Sequence, residues 1–334
     1  MRVKYALCLV IVLLCASFLL MIAGLYLTFF CQPVLVRFDR DGGVVGGLKP
    51  EGMLLKIRGW MQETRFKGGN NMNVLFFGSL ILFFIAMALQ FATLTFKKEK
   101  LGKASWIAFM FALLALTAYL VVRGAVAKRL PLSNQFEFAT AFAWGVALLL
   151  LILHVKMKAD WLNVVVMPMV FFILSYAALQ PREISDLMPA LRSGWFGFHI
   201  GSAVISYSAF VIAGCVGLRY ILVSKKGRDE DEMKLKQMDW LGYRLVALGV
   251  LMLTVTILSG AFWAEQAWGA FWTWDPKEVW ALITWIIYVV YLHLRLRNKK
   301  QGLGMAWFLV ISVPVVLFTF AGVNVLMSGL HSYA

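Results

Sequence analysis

Between Trp263 and Trp285 the chain reads WAEQAWGAFWTWDPKEVWALITW, so six of its 13 tryptophans fall within 23 residues, together with Glu265, Asp275 and Glu278. An indole ring is flat and apolar, with one N–H that seeks a partner, and so it suits a membrane–water boundary. A plain aromatic belt needs only one or two tryptophans per helix end. The alternative for a run this dense is a flat aromatic platform for a flat ligand. The other chemistry-bearing residues are four histidines, His154, His199, His293 and His331. His199 lies in WFGFHIGSAVISYSAF, and His331 sits in the closing SGLHSYA. Imidazole is a strong axial ligand for haem iron, and two imidazoles from opposite faces complete a six-coordinate site.

These residues must be positioned by membrane helices. Of 334 residues, 61% are hydrophobic and 15% charged, with a mean hydropathy of +0.79, beyond the range of soluble domains. A spanning helix needs about 20 mostly apolar residues. Stretches near 6–30, 72–96, 104–122, 137–155, 161–180, 197–223, 240–262, 277–297 and 304–327 meet that test. The expected fold is therefore all-α: a polytopic integral membrane protein of about nine transmembrane helices.

Lysine and arginine set the orientation. With the N-terminus cytoplasmic, the inner segments are 1–5, 97–103, 155–160, 224–239 and 295–301, and they hold 17 of the 32 basic residues. Segments 31–71, 123–136, 181–196, 263–276 and the C-terminal tail then lie outside. Loop 31–71 works against this assignment, with seven basic residues to four acidic. On this reading the net charge of +15 is a topology signal and gives no ground for nucleic-acid binding. The Trp-rich segment, His199 and His331 share the outer face; His154 and His293 fall near the inner one. Ionisable or ligating residues at membrane depth are functional candidates by default.

The apolar run Ala6–Phe30 is too long for a signal-peptide core and is expected to be an uncleaved anchor. Cys8, Cys15, Cys31 and Cys215 form no CxxC or CxxCH, which excludes a thiol oxidoreductase and a covalent haem attachment site on this chain. Pro131 should break the helix before it, Ser133 or Asn134 is a ready N-cap for the next, and Glu137 falls in that helix's first turn.

The segment Trp268-Gly-Ala-Phe-Trp272-Thr-Trp274-Asp275-Pro-Lys-Glu278 resembles the WWD signature of haem-handling proteins in cytochrome c maturation. His199 and His331 match that family's two external histidines, and Pro131-Leu-Ser-Asn134 with Glu137 resembles another of its recurring segments. Size and order of elements are most similar to the CcsA/ResC type of System II. CcmC is a shorter relative and CcmF a much longer one. The resemblance covers roughly residues 105–334. It implies a haem-handling domain over 104–334, after an N-terminal two-helix region over 1–103 with its loop 31–71.

The resemblance implies that His199 and His331 are axial ligands of an external haem iron. Trp268, Trp272, Trp274, Asp275 and Glu278 would form or support the platform, with the two carboxylates bonding ring N–H groups or helix ends. His293 would match the family's transmembrane histidine, a ligand of an inner haem iron whose axial partner comes from a CcsB/ResB-type protein. His154, at the same depth, is a structural residue on this reading. The implied cargo is haem b, and the implied activity is that of a cytochrome c synthase subunit joining haem to a CxxCH apocytochrome c. The implied location is the bacterial inner membrane, with the platform periplasmic. Lys277, Arg192, Arg182 and Lys128 are on the correct side to meet haem propionates. The alternatives are CcmC-like delivery of haem to a carrier without synthase chemistry, or a membrane transporter without haem. A haem-b electron-transfer subunit fits less well, because its stacked haems would need histidine pairs along facing helices.

Overall fold

The computed structural model describes residues 37–38, 44–45, 69–184, 188–225, 232–327 and 329. The expected helix over 6–30, most of loop 31–71, Cys8, Cys15, Cys31 and His331 lie outside these. Eight helices long and apolar enough to cross a membrane occur among the described residues. In chain order they are α1 (Gly69–Phe96), α2 (Glu99–Ala127), α3 (Gln135–Met157), α4 (Asn163–Ala178, after a 3₁₀ turn at Asp160–Leu162), α5 (Gly194–Ser224), α6 (Glu232–Trp268), α7 (Pro276–Leu296) and α8 (Leu303–Leu326). Two compact units divide the chain. Val74–Gln90 with Lys98–Ala334 forms the helical one, and Met1–Asn73 with Phe91–Lys97 the other. The latter contains a two-residue antiparallel pair, β1 (Arg37–Phe38) with β2 (Val44–Val45).

Helix ends follow local chemistry. Asn134 caps α3, its side chain accepting from Glu137 N at 2.8 Å, and Ser193 caps α5 by accepting from Trp195 N at 3.2 Å. After α2 and α3 the chain turns through left-handed lysines, Lys128 (φ 50°) and Lys158 (φ 49°). A side chain with a Cβ is disfavoured in that region, but a cation there complements the carbonyl end of the helix dipole. One boundary differs from the hydropathy reading. α6 runs on to Trp268, so Trp263 and Trp268 stand on a helix end rather than in the outer loop. Their bulk is apolar, and their packing partners on α5 lie one helix away, which favours continuing the helix over exposing them.

α5 is the central helix. Of its most apolar window 83% is buried, against 17–61% for the other spans. It packs along α6 and also against α8 and α3. Lipid tails are as apolar as leucine, so helices in a bilayer associate through close packing at small residues. Gly217 supplies that against α8: an added Cβ would stand 2.6 Å from the Ala306 carbonyl oxygen and 2.9 Å from Leu309 Cβ. Backbone cannot retreat as a flexible side chain can. Gly217→Val is expected to cost about 1–3 kcal/mol through overpacking, measured as lowered thermal stability in detergent beside an unchanged Gly304→Ala control, where the added Cβ meets nothing within 4 Å.

Candidate functional site

The N-termini of α3, α5 and α7 and the C-termini of α6 and α8 meet at one end of the bundle, around a cavity of about 220 Å³. α5 and α6 contribute His199, Tyr207, Thr256, Gly260 and Trp263; α3, α7 and α8 contribute Gln135, Phe138, Lys277, Glu278, Phe320 and Asn324. Tyr176 and Gln180, at the end of α4, Leu132–Asn134, and Phe271 and Trp272 from the loop between α6 and α7 also line it.

His199 is held in one orientation. Its Nδ1 lies 2.8 Å from the Thr256 carbonyl oxygen. A carbonyl only accepts, so Nδ1 carries the proton and Nε2 carries the lone pair. Metal-binding histidines are commonly fixed in this way, through the nitrogen that does not ligate. The ring stacks near Trp263, with centroids 5.8 Å apart and planes 25° from parallel. Gly260 makes the approach to α6 possible, since a Cβ there would stand 2.7 Å from His199 Nδ1 and Cε1. Ser202 and Thr256 tie the two helices just below, Oγ to Oγ1 at 2.9 Å.

The Trp-rich segment divides its labour. Trp263 is buried with Leu191 and Phe196, and Trp268 packs against that cluster, its ring centroid 4.8 Å from that of Trp263. Trp272 lines the cavity. Trp274 is 72% exposed and has φ +60°, set edge-on to Trp272 at 5.8 Å. Asp275 and Glu278 form a capping box on α7. Asp275 Oδ1 accepts from Lys277 N at 2.9 Å, while Glu278 Oε2 accepts from Thr273 N at 2.9 Å and from Asp275 N at 3.2 Å. The two carboxylates therefore hold the loop that carries Trp272 at the helix N-terminus, where negative charge is favoured. Gly329 packs onto Asp275 and Pro276, so the chain two residues before His331 is at this loop. Among the described residues no three His, Cys, Asp or Glu side chains gather as a metal site.

The remaining predicted residues are elsewhere. His293 is exposed near the other end of α7; at 1.5 Å per residue that is roughly 25 Å along the axis from Asp275. His154 Nδ1 lies 2.5 Å from Asp160 Oδ1, and its ring packs on Trp106 at 3.8 Å. Of the four proposed cations only Lys277 lines the cavity. The Arg182 guanidinium instead covers the Phe77 ring at 4.8 Å, and Lys128 closes α2.

Behind the Leu132–Gln135 part of the lining is a buried ion cluster. Glu137, fully buried, takes Arg123 Nε and Arg129 Nη1 at 2.8 Å each, with Ser133 N donating at 2.8 Å. Arg123 also donates to the Arg182 and Glu183 carbonyls at 2.9 and 3.1 Å, tying the end of α2 to the segment after α4. Sequence reading placed Glu137 at a helix start but missed Arg123, Gly260, Thr256, Gln135 and Asn324 as site-builders. The signal available for them was a polar or glycine residue inside an apolar run.

A multi-pass membrane bundle with one oriented imidazole in an aromatic-lined cavity defines the class, and comparison identifies the family. A family model described as cytochrome C assembly protein matches residues 132–331. Cytochrome c biogenesis protein CcsA of Parasynechococcus marenigrum (strain WH8102) is 32% identical over 289 residues, 77% of this chain and 94% of that protein. CcsA of Guillardia theta is 32% identical over 270 residues, 72% of this chain and 89% of that protein. The chain belongs to the cytochrome c assembly family, and within it to the CcsA type. Among solved structures, the cytochrome c haem lyase CcmF superposes with a TM-score of 0.57 at 14% identity, over 75% of this chain and 46% of that one, a likeness of fold alone.

Proposed function

We propose that this chain takes haem b as its substrate in the cavity at the outer end of the bundle and presents it for attachment to a CxxCH apocytochrome c, acting with a CcsB/ResB-type partner in the bacterial inner membrane. The haem-handling part is 104–334, and 1–103 is an N-terminal region. The oriented imidazole of His199 carries this reading: Nδ1 donates to the Thr256 carbonyl at 2.8 Å, so the ligating role falls to Nε2, in an aromatic-lined cavity. His331 is the second external ligand, and His293 serves an inner haem with the partner's help. Trp272 lies along the macrocycle, with Trp268, Trp274, Asp275 and Glu278 supporting its loop.

The cavity is smaller than the roughly 300–1,000 Å³ of an enclosing ligand cleft. It takes part of a macrocycle and leaves the rest reachable from outside, as attachment requires. The apocytochrome's own histidine displaces one of this chain's ligands, and its two thiols then lie beside the haem vinyl groups. Each thiol adds across a vinyl C=C: sulfur bonds to one carbon, the thiol hydrogen goes to the other, and no oxidant or reductant is consumed. The chain contributes proximity and orientation, while the reactivity belongs to the haem.

The test is the absorption spectrum of the full chain purified in detergent with its partner. A six-coordinate low-spin haem is expected. A chain that stays colourless and cannot take up added haem overturns the reading.

A further inference from the structure

Lys277 is an unusual residue to find in this cavity. It sits in the first turn of α7, where the helix dipole already places partial positive charge and a cation is disfavoured. The carboxylates beside it in sequence accept from backbone N–H groups in the capping box, and Asp275 acts on the ammonium through space without an ion pair to it. Among the described residues Lys277 Nζ forms no ion pair, and its one hydrogen-bond partner is Asn324 Oδ1 at 2.8 Å. An ammonium has three N–H donors and no acceptor, and a desolvated charge needs an opposite charge.

A directed chain of hydrogen bonds stands behind it. Gln135 Nε2 donates to the Phe320 carbonyl at 3.3 Å and to Tyr176 OH at 3.1 Å. Gln135 Oε1 therefore accepts from Asn324 Nδ2, which turns Asn324 Oδ1 toward Lys277. The lysine can only donate and the Phe320 carbonyl can only accept, so the order cannot reverse. The π-helical turn Phe318–Gly322 in α8 adds a residue just before Asn324 and sets its register; such turns often mark functional sites.

We propose that Lys277 is the carboxylate anchor of the cavity, held by Asn324 and Gln135, and that it selects flat ligands bearing an edge carboxylate. This rests on the haem reading above and adds to it a specificity determinant.

The test is Soret titration of the full-length chain in detergent with iron(III) protoporphyrin IX and with its dimethyl ester, which lacks the negative charges. The wild type should bind the diacid at least about tenfold more tightly, the value of one hydrogen bond to a charged group. Lys277→Gln should bring the ratio close to one while the six-coordinate spectrum persists, and Lys277→Arg should keep most of the preference. Asn324→Asp, which supplies an internal carboxylate, should also abolish the preference with the lysine in place. If Lys277→Gln retains the wild-type ratio, or the wild type binds both porphyrins equally, the anchor is overturned and the haem reading stands. If the wild type binds neither, both fall.

Discussion

His199→Ala is expected to abolish assembly of c-type cytochromes in cells that depend on this chain, and to be rescued in part by added imidazole. The ring is fixed by Nδ1 on the Thr256 carbonyl at 2.8 Å, and on the proposed reading Nε2 is the ligating nitrogen. Removing it takes away the proposed ligand and the stacking on Trp263 together. Loss of an outer-shell partner alone typically lowers metal affinity by roughly 10–100-fold, so loss of the ligand should exceed that. Gly260→Ala offers a graded companion. Its methyl group would meet the imidazole at 2.7 Å, pushing the ring off the carbonyl while leaving the ligand present. It should fall within that 10–100-fold range, and exogenous imidazole should help it less than the alanine variant. Haem titration with cytochrome yield reads both. Normal haem affinity and normal cytochrome yield in His199→Ala would remove this histidine from the site.

Glu137→Ala is expected to lower the stability of the bundle by about 3–5 kcal/mol, the cost of leaving a buried charge without its partner. Two guanidinium groups converge on this one carboxylate, at 2.8 Å each, and Arg123 is itself almost fully buried at 1% exposure. Exposed pairs are worth far less, about 0–1 kcal/mol. Glu232–Lys236, with both side chains more than 70% exposed, is the internal control, and Glu232→Ala should leave the melting temperature nearly unchanged. Because Ser133 also donates to Glu137, its loss should loosen the Leu132–Gln135 lining and weaken haem binding beyond the change in stability. A Glu137→Ala protein that melts with the wild type would show that the cluster carries no such load.

The helices were legible because their signal is local and cumulative. About 20 apolar residues in a row cannot be satisfied in water, and a lipid-exposed backbone must close its own hydrogen bonds. α5, α7 and α8 accordingly lie close to the ranges hydropathy suggests. Capping was legible for the same reason: Asn134 and Asp275 each act within three residues of themselves. The tryptophans were only half legible. Their number marked the segment, but identical side chains took different roles: Trp263 is buried, Trp272 lines the cavity and Trp274 is exposed.

The sequence by itself determined the membrane class, most of the spans among the described residues, the candidate ligand and the chemistry that an imidazole beside indoles could perform. Only the tertiary structure decided which groups meet. It set His199 on the Thr256 carbonyl 57 residues later, Lys277 on Asn324 and Asn324 on Gln135, and Glu137 between two arginines. It also left Arg182 and Lys128 outside the cavity lining, although charge and side had made them equal to Lys277. The physical reason is range. Hydropathy and caps are read over one or two helical turns, while a hydrogen bond across helices depends on the rotation and height of each, which are set by packing at contacts such as Gly217 on Ala306.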